Sequence, residues 1–269
     1  MRLSIILSLL LGVTALHAAD PKPATLQVFN SYVRQAEDRI SREQQSPQTF
    51  LHDPIAAPER ESRLRHGDVL IDRVGVKDIE GGMIHHWIGT VLLPRATIPQ
   101  VLSIVHDYNH LPQHYAPKVI DSRLFTHHGD DYQFRMRTRE HKVITVVLDV
   151  DYDVRDSSPH PGYWSSTSRS TRVAEVQDAG TSHEHDLAPA DAHGFLWAIN
   201  TYWRFVQIGD SVIVQCEAIS LSRDIPTGLG WLLRPYIQSV PRESLEFTLA
   251  ATRKAVLAQN TQPQAQVKR

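Results

Sequence analysis

The amino-acid sequence predicts an α+β fold in which one antiparallel sheet packs against a long C-terminal helix. Residues 131–139 and 143–154 alternate apolar and polar side chains with a period of two, which is typical of half-buried strands. After Pro241 the apolar residues recur at helical spacing and predict a helix that runs to about Gln259. Helices and strands are segregated along the chain, and no glycine-rich phosphate loop follows a strand. The pattern therefore excludes a βαβ nucleotide-binding fold.

The composition limits the classes of function. The 269 residues include 28 Lys and Arg against 30 Asp and Glu, and the net charge of −2 excludes the basic surface that nucleic-acid binding needs. The single cysteine, Cys216, excludes an internal disulfide and any metal site built from several cysteines. Mean hydropathy is −0.30, and beyond the N-terminus no apolar run has the length of a membrane-spanning helix. The 15 histidines are a surplus that raises the question of metal binding.

The first 19 residues have the pattern of a secretory signal peptide. Arg2 supplies a positive charge, residues 3–11 are apolar, and the small residues that follow predict cleavage after Ala18 or Ala19. An uncleaved membrane anchor is the alternative, but the apolar run is short for one. We therefore expect an exported protein, periplasmic or secreted. The expected organisation is a signal peptide (1–19), a helical extension with a loop (20–67), one large domain (68–259) and a polar tail (260–269).

The exported chain begins with a predicted helix over residues 24–44. Its apolar residues form one stripe: Leu26, Phe29, Val33, Ala36 and Ile40. We expect this helix to pack on its own domain, and a helix that binds a partner protein is the alternative. Residues 46–67 contain three prolines and no clear period, so they are predicted to be a loop.

The middle of the chain is predicted to be a run of strands interrupted by two short helices. Thr97 and Gln100 have the spacing of a capping box and predict a helix that ends near Tyr108, before a second turn over residues 111–115. A three-residue loop, 140–142, brings the apolar sides of its flanking strands onto one face. A short helical stretch precedes the long helix. The predicted strands, about six to seven in one sheet, are residues 68–75, 83–93, 131–139, 143–154, 162–176, 195–208 and 211–222.

The last hairpin has a predictable register. The turn at residues 209–210 suits a two-residue type II′ turn, and it places Trp203 opposite Cys216. Large apolar side chains then face small ones, which either pack closely or leave a hollow beneath the helix, and both alternatives stay open. Cys216 is expected to be a buried, unreactive thiol. On the other face, Arg204 and Glu217 are neighbours, which we interpret as a structural ion pair.

Six segments of the chain indicate a resemblance to a known superfamily. They are residues 107–112 (DYNHLP), 116–119 (APKV), 122–124 (SRL), 202–205 (YWRF), 219–226 (ISLSRDIP) and 240–246 (VPRESLE). They resemble START-like proteins, a superfamily that also includes polyketide cyclases and coenzyme-Q-binding proteins. The resemblance covers roughly residues 68–257. It implies a helix-grip fold, in which an antiparallel sheet wraps a long helix and leaves a hydrophobic tunnel. Members mostly bind lipids, sterols, quinones or aromatic polyketides.

The resemblance leads us to interpret the chain as an exported binder or carrier of a hydrophobic small molecule, such as a lipid or quinone. The ligand would lie between the sheet and the C-terminal helix, without a cofactor. We expect no nucleic-acid partner and, after removal of the signal, no transmembrane segment. A carrier of this kind would touch a membrane surface transiently. The side chains expected to line the cavity are Trp87, Tyr108, Phe134, Trp197, Trp203, Phe205 and Trp231.

An enzyme of the cyclase or aromatase type, acting on a polyketide-like substrate in the same cavity, is the alternative. Its acid–base groups would be His85, His86 or Tyr108, because one of two adjacent histidines on a strand must point inward. A binder needs no titratable pair inside the cavity, whereas an enzyme needs one within hydrogen-bond reach. A protein that interacts through its N-terminal helix is a third interpretation.

Two sets of histidines have spacings that suit a metal. His183, His185 and His193 lie near acidic residues in one predicted loop, and short histidine-rich tracts bind zinc or copper. A solvated polar loop is the alternative for this set. A second set is spaced four residues apart, but a proline at position 112 interrupts the helix that would align it: His106, His110 and His114.

Overall fold

The structure is a computed structural model that describes residues 20–52, 57–142, 144–189, 191–224 and 230–261, with the backbone alone for residues 230–238 and 261. The predicted signal peptide, most of the predicted tail and the side chain of Trp231 lie outside the described residues. The helices are α1 (Pro23–Glu43), α2 (Pro58–His66), α3 (Ile98–Val105), α4 (Leu111–Tyr115) and α5 (Gly230–Thr261). Among the described residues, none of these helices has the length and apolarity needed to traverse a bilayer.

One antiparallel sheet of nine strands forms the body of the protein. The strands are β1 (Leu70–Ile79), β2 (Gly82–Leu93), β3 (Val119–His128), β4 (Asp131–His141), β5 (Thr145–Ser157), β6 (Tyr163–Gln177), β7 (His185–Asp186), β8 (Ala198–Ile208) and β9 (Ser211–Arg223). Their spatial order is β1-β2-β9-β8-β6-β5-β4-β3, and the short β7 pairs with β6. The count exceeds the prediction because β3 and β7 lack a period-two pattern. Most of β3 is exposed, as an edge strand with few buried positions would be.

The strand register confirms the predicted β8–β9 hairpin, but the predicted loop at residues 140–142 is wrong, because β4 continues to His141, which pairs with Thr145. Trp203 pairs with Cys216 across β8 and β9, and Gly209 has a φ of 58°, which suits the first position of a type II′ turn. Phe134 pairs with Tyr152 across β4 and β5, so the apolar sides of these strands share a face as expected. Alternation therefore gives the sheet one inner face toward α5 and one outer face.

The long helix α5 lies directly on the inner face, over β1, β2 and β9. A Cβ atom on Gly89 would lie 2.3 Å from Cδ1 of Leu249, so glycine is needed for α5 to approach β2 this closely. The sequence predicts a break before Pro241, but the structure has one continuous helix. That prediction is wrong because a proline removes one main-chain hydrogen bond and bends a helix without obliging it to end.

Helix α1 covers the outer face of the sheet. Four residues of its predicted stripe are buried and Leu26 is partly buried, which confirms that the helix packs on its own domain. The cluster that joins α1 to the sheet consists of Phe29, Val33, Ala36, Ile40, Ile84, Tyr202, Ile219 and Leu221.

Helix α2 occupies residues that the sequence predicts to be a loop. Pro58 stands in its first turn, and the helix ends at Gly67, whose φ of 98° provides a left-handed cap. Leu64 is its one buried residue, so the segment has too few apolar positions to show a helical period. The predicted capping box of Thr97 and Gln100 is present at the start of α3.

Candidate functional site

Adjacent residues of β9 show how the sheet separates two environments. Cys216 belongs to the inner cluster of apolar residues, which joins the sheet to α3, α4 and α5. Glu217, the next residue, points to the outer face and bonds to charged side chains there. Burial raises the pKa of the Cys216 thiol, with a smaller contribution from Glu217. The thiol is therefore protonated, and the prediction of an unreactive cysteine is consistent with this setting.

The inner cluster contains most of the side chains expected to line a cavity. Tyr108 stacks on Phe134 with 4.3 Å between ring centroids, and Trp203 lies nearly parallel to the fully buried Phe205 at 6.0 Å. Trp87 is also part of this cluster and is partly buried, as is Trp203. These five aromatic residues come from β2, β4, β8 and the segment after α3, and together they form one apolar surface.

Trp197 lies elsewhere. It packs against the outer cluster, beneath α1, rather than against the inner one. Its backbone N–H donates to the carbonyl of Leu221 at 2.8 Å, but it precedes the first residue of β8. The alternation of a strand does not extend past the end of that strand, so the predicted inward position of Trp197 is wrong.

His85 and His86 point to opposite faces, as adjacent strand residues must. His85 is buried on the inner side, with its Nε2 3.2 Å from Oγ of Ser222. Burial, assisted by the charge of Arg73 and opposed by that of Asp78, lowers the pKa of His85 to about 4. His85 is therefore neutral at pH 7 and can donate or accept a hydrogen bond there.

His86 belongs to an ionic cluster on the outer face. Its Nε2 lies 2.6 Å from Oε1 of Glu217, and its Nδ1 lies 2.8 Å from the hydroxyl of Tyr32 in α1. Burial alone would raise the pKa of Glu217, but the hydrogen bond from His86 and the charges of His86, Arg39 and Arg204 outweigh burial and lower it. The hypothesis that His86 acts inside a cavity is wrong, because the sheet separates it from the inner face.

The same cluster fixes α1 and the segment after it to the sheet. The guanidinium of Arg204, fully buried, lies 3.1 Å from Glu217 and 2.9 Å from Glu43. Burial would raise the pKa of Glu43, but hydrogen bonds with His52 and Arg39 and the charge of Arg204 lower it to about 2. The predicted structural role of the Arg204–Glu217 pair is consistent with this geometry.

Several polar atoms on the inner face have no hydrogen-bond partner among the described residues. They are Nε1 of Trp87, Nε1 of Trp164, Nδ1 of His85 and both carboxylate oxygens of Asp156. Buried polar groups in proteins are normally hydrogen-bonded, and a buried indole N–H usually finds an acceptor. The inner face therefore offers donors and acceptors within a largely apolar surface, as small-molecule sites do.

Asp156 and His106 form a buried pair that the sequence analysis missed. Oδ2 of Asp156 lies 3.1 Å from Nε2 of His106, and the Asp156 side chain has no exposed surface. The rings of Tyr108 and Tyr132 lie 5.7 and 5.1 Å from the His106 ring. Strand alternation was the available signal, since Asp156 continues the inward series of positions 150, 152 and 154 in β5.

The histidines proposed as metal ligands do not converge. His183 and His185 are exposed, and His185 Nδ1 contacts the backbone oxygen of His183 at 2.8 Å. His193 instead contacts the carboxylate of Glu175 at 2.8 Å. In the second set His110 and His114 contact the carboxylate of Asp107 at 2.8 and 2.9 Å, whereas His106, at the end of α3, lies apart from them beside Asp156. Within the described part of the chain, no group of three or more His, Cys, Asp or Glu residues could hold a metal ion.

Comparisons with known proteins add the following. No protein-family model matches the chain, and no curated protein matches its sequence. Human StAR-related lipid transfer protein 5 is a similar solved structure: it is 13% identical, the match covers 86% of this chain and 100% of that chain, and the TM-score is 0.47. A STAR-related lipid transfer protein fragment from Xanthomonas axonopodis is 21% identical, the match covers 69% of this chain and 99% of that chain, and the TM-score is 0.45. The Zhui aromatase/cyclase from Streptomyces sp. R1128 is 13% identical, the match covers 65% of this chain and 93% of that chain, and the TM-score is 0.42. The order of the elements and the packing of the sheet on α5 show a helix-grip fold, as the sequence predicts.

Proposed function

We propose that this protein binds or carries a hydrophobic small molecule on the inner face of the sheet, beneath α5. The observation that supports the proposal most is the combination of partly buried aromatic side chains with unpartnered polar atoms. A core that only stabilises the fold would bury its indoles with their N–H groups bonded. Here Trp87 and Trp164 present indole N–H groups without partners among the described residues.

Apart from the carboxyl group of Asp156, the distribution of charged side chains also supports an uncharged ligand. The ion pairs of Arg135 with Asp151 and of Arg137 with Asp149 lie on the outer side of β4 and β5. His85 is neutral at pH 7, and the residues around Trp203 on neighbouring strands are small and uncharged. An apolar surface with few polar groups recognises a ligand mainly by burial of apolar area, with one or two hydrogen bonds that set its orientation.

Solvent extraction tests the proposal. The purified protein is extracted with organic solvent, and the extract is analysed by mass spectrometry and compared with a mock purification. We expect a co-purifying lipid or quinone, and saturable binding of an uncharged fluorescent probe, a conjugated-polyene fatty alcohol. Absence of both a specific compound and saturable probe binding would overturn the proposal.

A matched pair of variants locates the site. Ala218 lies on the inner face between Thr201 and Trp87, and Ala218→Phe fills that position. Val28 is 41% exposed on α1, so Val28→Phe is the control. Probe affinity should fall about tenfold or more in the first variant, equivalent to about 1.4 kcal/mol, and stay unchanged in the second.

An enzyme of the cyclase or aromatase type is a second candidate, favoured by the His106–Asp156 pair. A histidine within 3.1 Å of a buried carboxylate can transfer a proton, and the Tyr108–Phe134 stack offers a flat surface for a planar substrate. With a candidate polyketide-like substrate, His106→Gln and Asp156→Asn should abolish turnover and leave probe binding intact. If no substrate is converted by the wild-type protein, the binding function alone stands.

Export is a further part of the proposal. It is supported by the charged and apolar pattern of residues 1–19 and by the small residues before Asp20. Mass spectrometry of the protein expressed in a bacterial host should find a chain that begins at Ala19 or Asp20 in the periplasmic fraction. A full-length chain in the cytoplasm would contradict export.

A further inference from the structure

The sheet has a gap between β6 and β8. Their ladder runs only as far as the pair Arg169 and Asn200, after which the backbone N–H of Ile199 donates to Oγ of Ser170 at 2.9 Å. Beyond this point residues 172–175 of β6 pair with β5 on one side, and β7 joins the other side of β6 only at residues 176–177. Among the described residues, the intervening part of β6 has no strand ladder toward β8.

A pocket of about 320 Å³ occupies this gap. One wall is residues 172–175 of β6, and the opposite wall includes Gly194, Leu196 and Trp197. Val173 and Leu196 line the pocket and also pack against the inner cluster. Trp197 lines the pocket and packs against the outer cluster. Side chains that belong to both clusters therefore border the pocket, which lies where the ladder between β6 and β8 has ended.

The carboxylate of Glu175, which is buried, joins the two walls of the gap and sets the distance between them. Glu175 accepts hydrogen bonds from the backbone N–H groups of His193, Gly194 and Phe195 at 2.9, 2.8 and 3.1 Å. Gly194 has a φ of 75°, and a Cβ there would lie 2.7 Å from Cβ of Arg223. The chain that leads into β8 is thus fixed at a set distance from β6, and the gap is a built feature of the fold.

We propose that this gap is the passage through which the hydrophobic ligand reaches the inner face, an inference that rests on the proposed function. Elsewhere a molecule that crossed the sheet would have to break the hydrogen bonds of a ladder. In the gap no ladder between β6 and β8 has to break, and rotation of the Val173 and Leu196 side chains, a fast motion, is the change that would open the path. At the rim, Arg172 pairs with Asp186, so the acidic and basic groups there neutralise each other.

Binding kinetics test the passage. Ala174 lines the pocket, so Ala174→Trp places an indole in it, whereas Thr171→Trp puts the same side chain on an exposed position of the same strand. Stopped-flow fluorescence with the polyene fatty alcohol measures the rates of association and dissociation. In Ala174→Trp both rates should fall about tenfold with Kd unchanged, because an obstacle in the path slows both directions equally. In Thr171→Trp neither rate should change.

Three other results would contradict the proposal that the ligand enters through this gap. Unchanged rates in Ala174→Trp would mean that the ligand uses another route, while the proposed function would stand. A weaker Kd with an unchanged association rate would mean that the pocket is itself the binding site. Absence of probe binding by the wild-type protein would overturn the proposed function first. If Ala174→Trp fails to fold, Leu196→Ala decides the question, because a wider passage should accelerate association and an unchanged rate would contradict it.

Discussion

The two faces of the sheet differ in whether their buried polar groups have hydrogen-bond partners. On the outer face Glu217 receives hydrogen bonds from His86 and Arg204 and pairs with Arg39, all beneath α1. On the inner face the carboxyl group of Asp156 is equally buried, and its neighbour His106 lies 3.1 Å away without the geometry of a hydrogen bond. The outer face therefore contributes stability, whereas the inner face keeps polar atoms available at a cost in stability, as binding sites do.

Removal of the Glu217 charge, at the centre of the ionic cluster on the outer face, tests the difference between the two faces most strongly. Glu217→Gln leaves Arg204 buried and only partly compensated, and we expect the free energy of unfolding to fall by about 3–5 kcal/mol. Chemical denaturation measures it. Asp131→Asn, which removes an exposed ion pair with Arg155, is the control and should have no measurable effect. A loss at Glu217 no larger than in the control would mean that the cluster does not hold α1 in place.

A second prediction concerns pH and the inner face. The pKa of His85 falls from 6.5 in the unfolded chain to about 4 in the folded protein, so the unfolded chain binds more protons between these values. Stability should therefore be full above pH 6.5 and decline as the pH falls to about 4, by about 3 kcal/mol from this group. Denaturation curves of the wild type and of His85→Gln, compared across this range, isolate the contribution. Parallel curves would show that His85 is not desolvated.

The contact between α5 and the sheet gives a third prediction. Gly89→Ala places a methyl group against Leu249, and we expect a loss of about 1–3 kcal/mol from overpacking. A double-mutant cycle with Leu249→Ala checks this contact. The free energy of unfolding lost in the double variant should be smaller than the sum of the two single losses, because alanine at position 249 leaves space for the methyl group at position 89. Additive losses would mean that α5 does not rest on β2 at this point.

The smallest expected effect has the opposite sign. Asp156→Asn replaces a buried carboxyl group that lacks a hydrogen-bond partner with a neutral amide, and we expect the free energy of unfolding to rise by about 1 kcal/mol. Thermal and chemical denaturation should agree on the direction. A destabilisation as large as that of Glu217→Gln would show that His106 compensates Asp156 fully, and the contrast between the two faces would disappear.

Much of the sheet could be predicted because its signals are local. The two-residue turn at 209–210 and strict alternation are enough to place Trp203 opposite Cys216. Helix α2 and strand β3 were missed because each buries few residues, so that no apolar period appears in their sequences. The continuous course of α5 through Pro241 was missed because a proline is an ambiguous signal that bends or ends a helix.

The candidate site depends on contacts that no local pattern contains. His106 follows α3 and Asp156 ends β5, and the fold alone brings them within 3.1 Å. The gap between β6 and β8 likewise arises from where the two ladders stop and from how Glu175 holds a distant segment. By itself the sequence determined the fold class, the register of the β8–β9 hairpin and most of the aromatic inner face, because alternation and turn chemistry act over a few residues. Only the tertiary structure decided which polar groups have partners, because a buried hydrogen bond joins residues that are far apart in the chain.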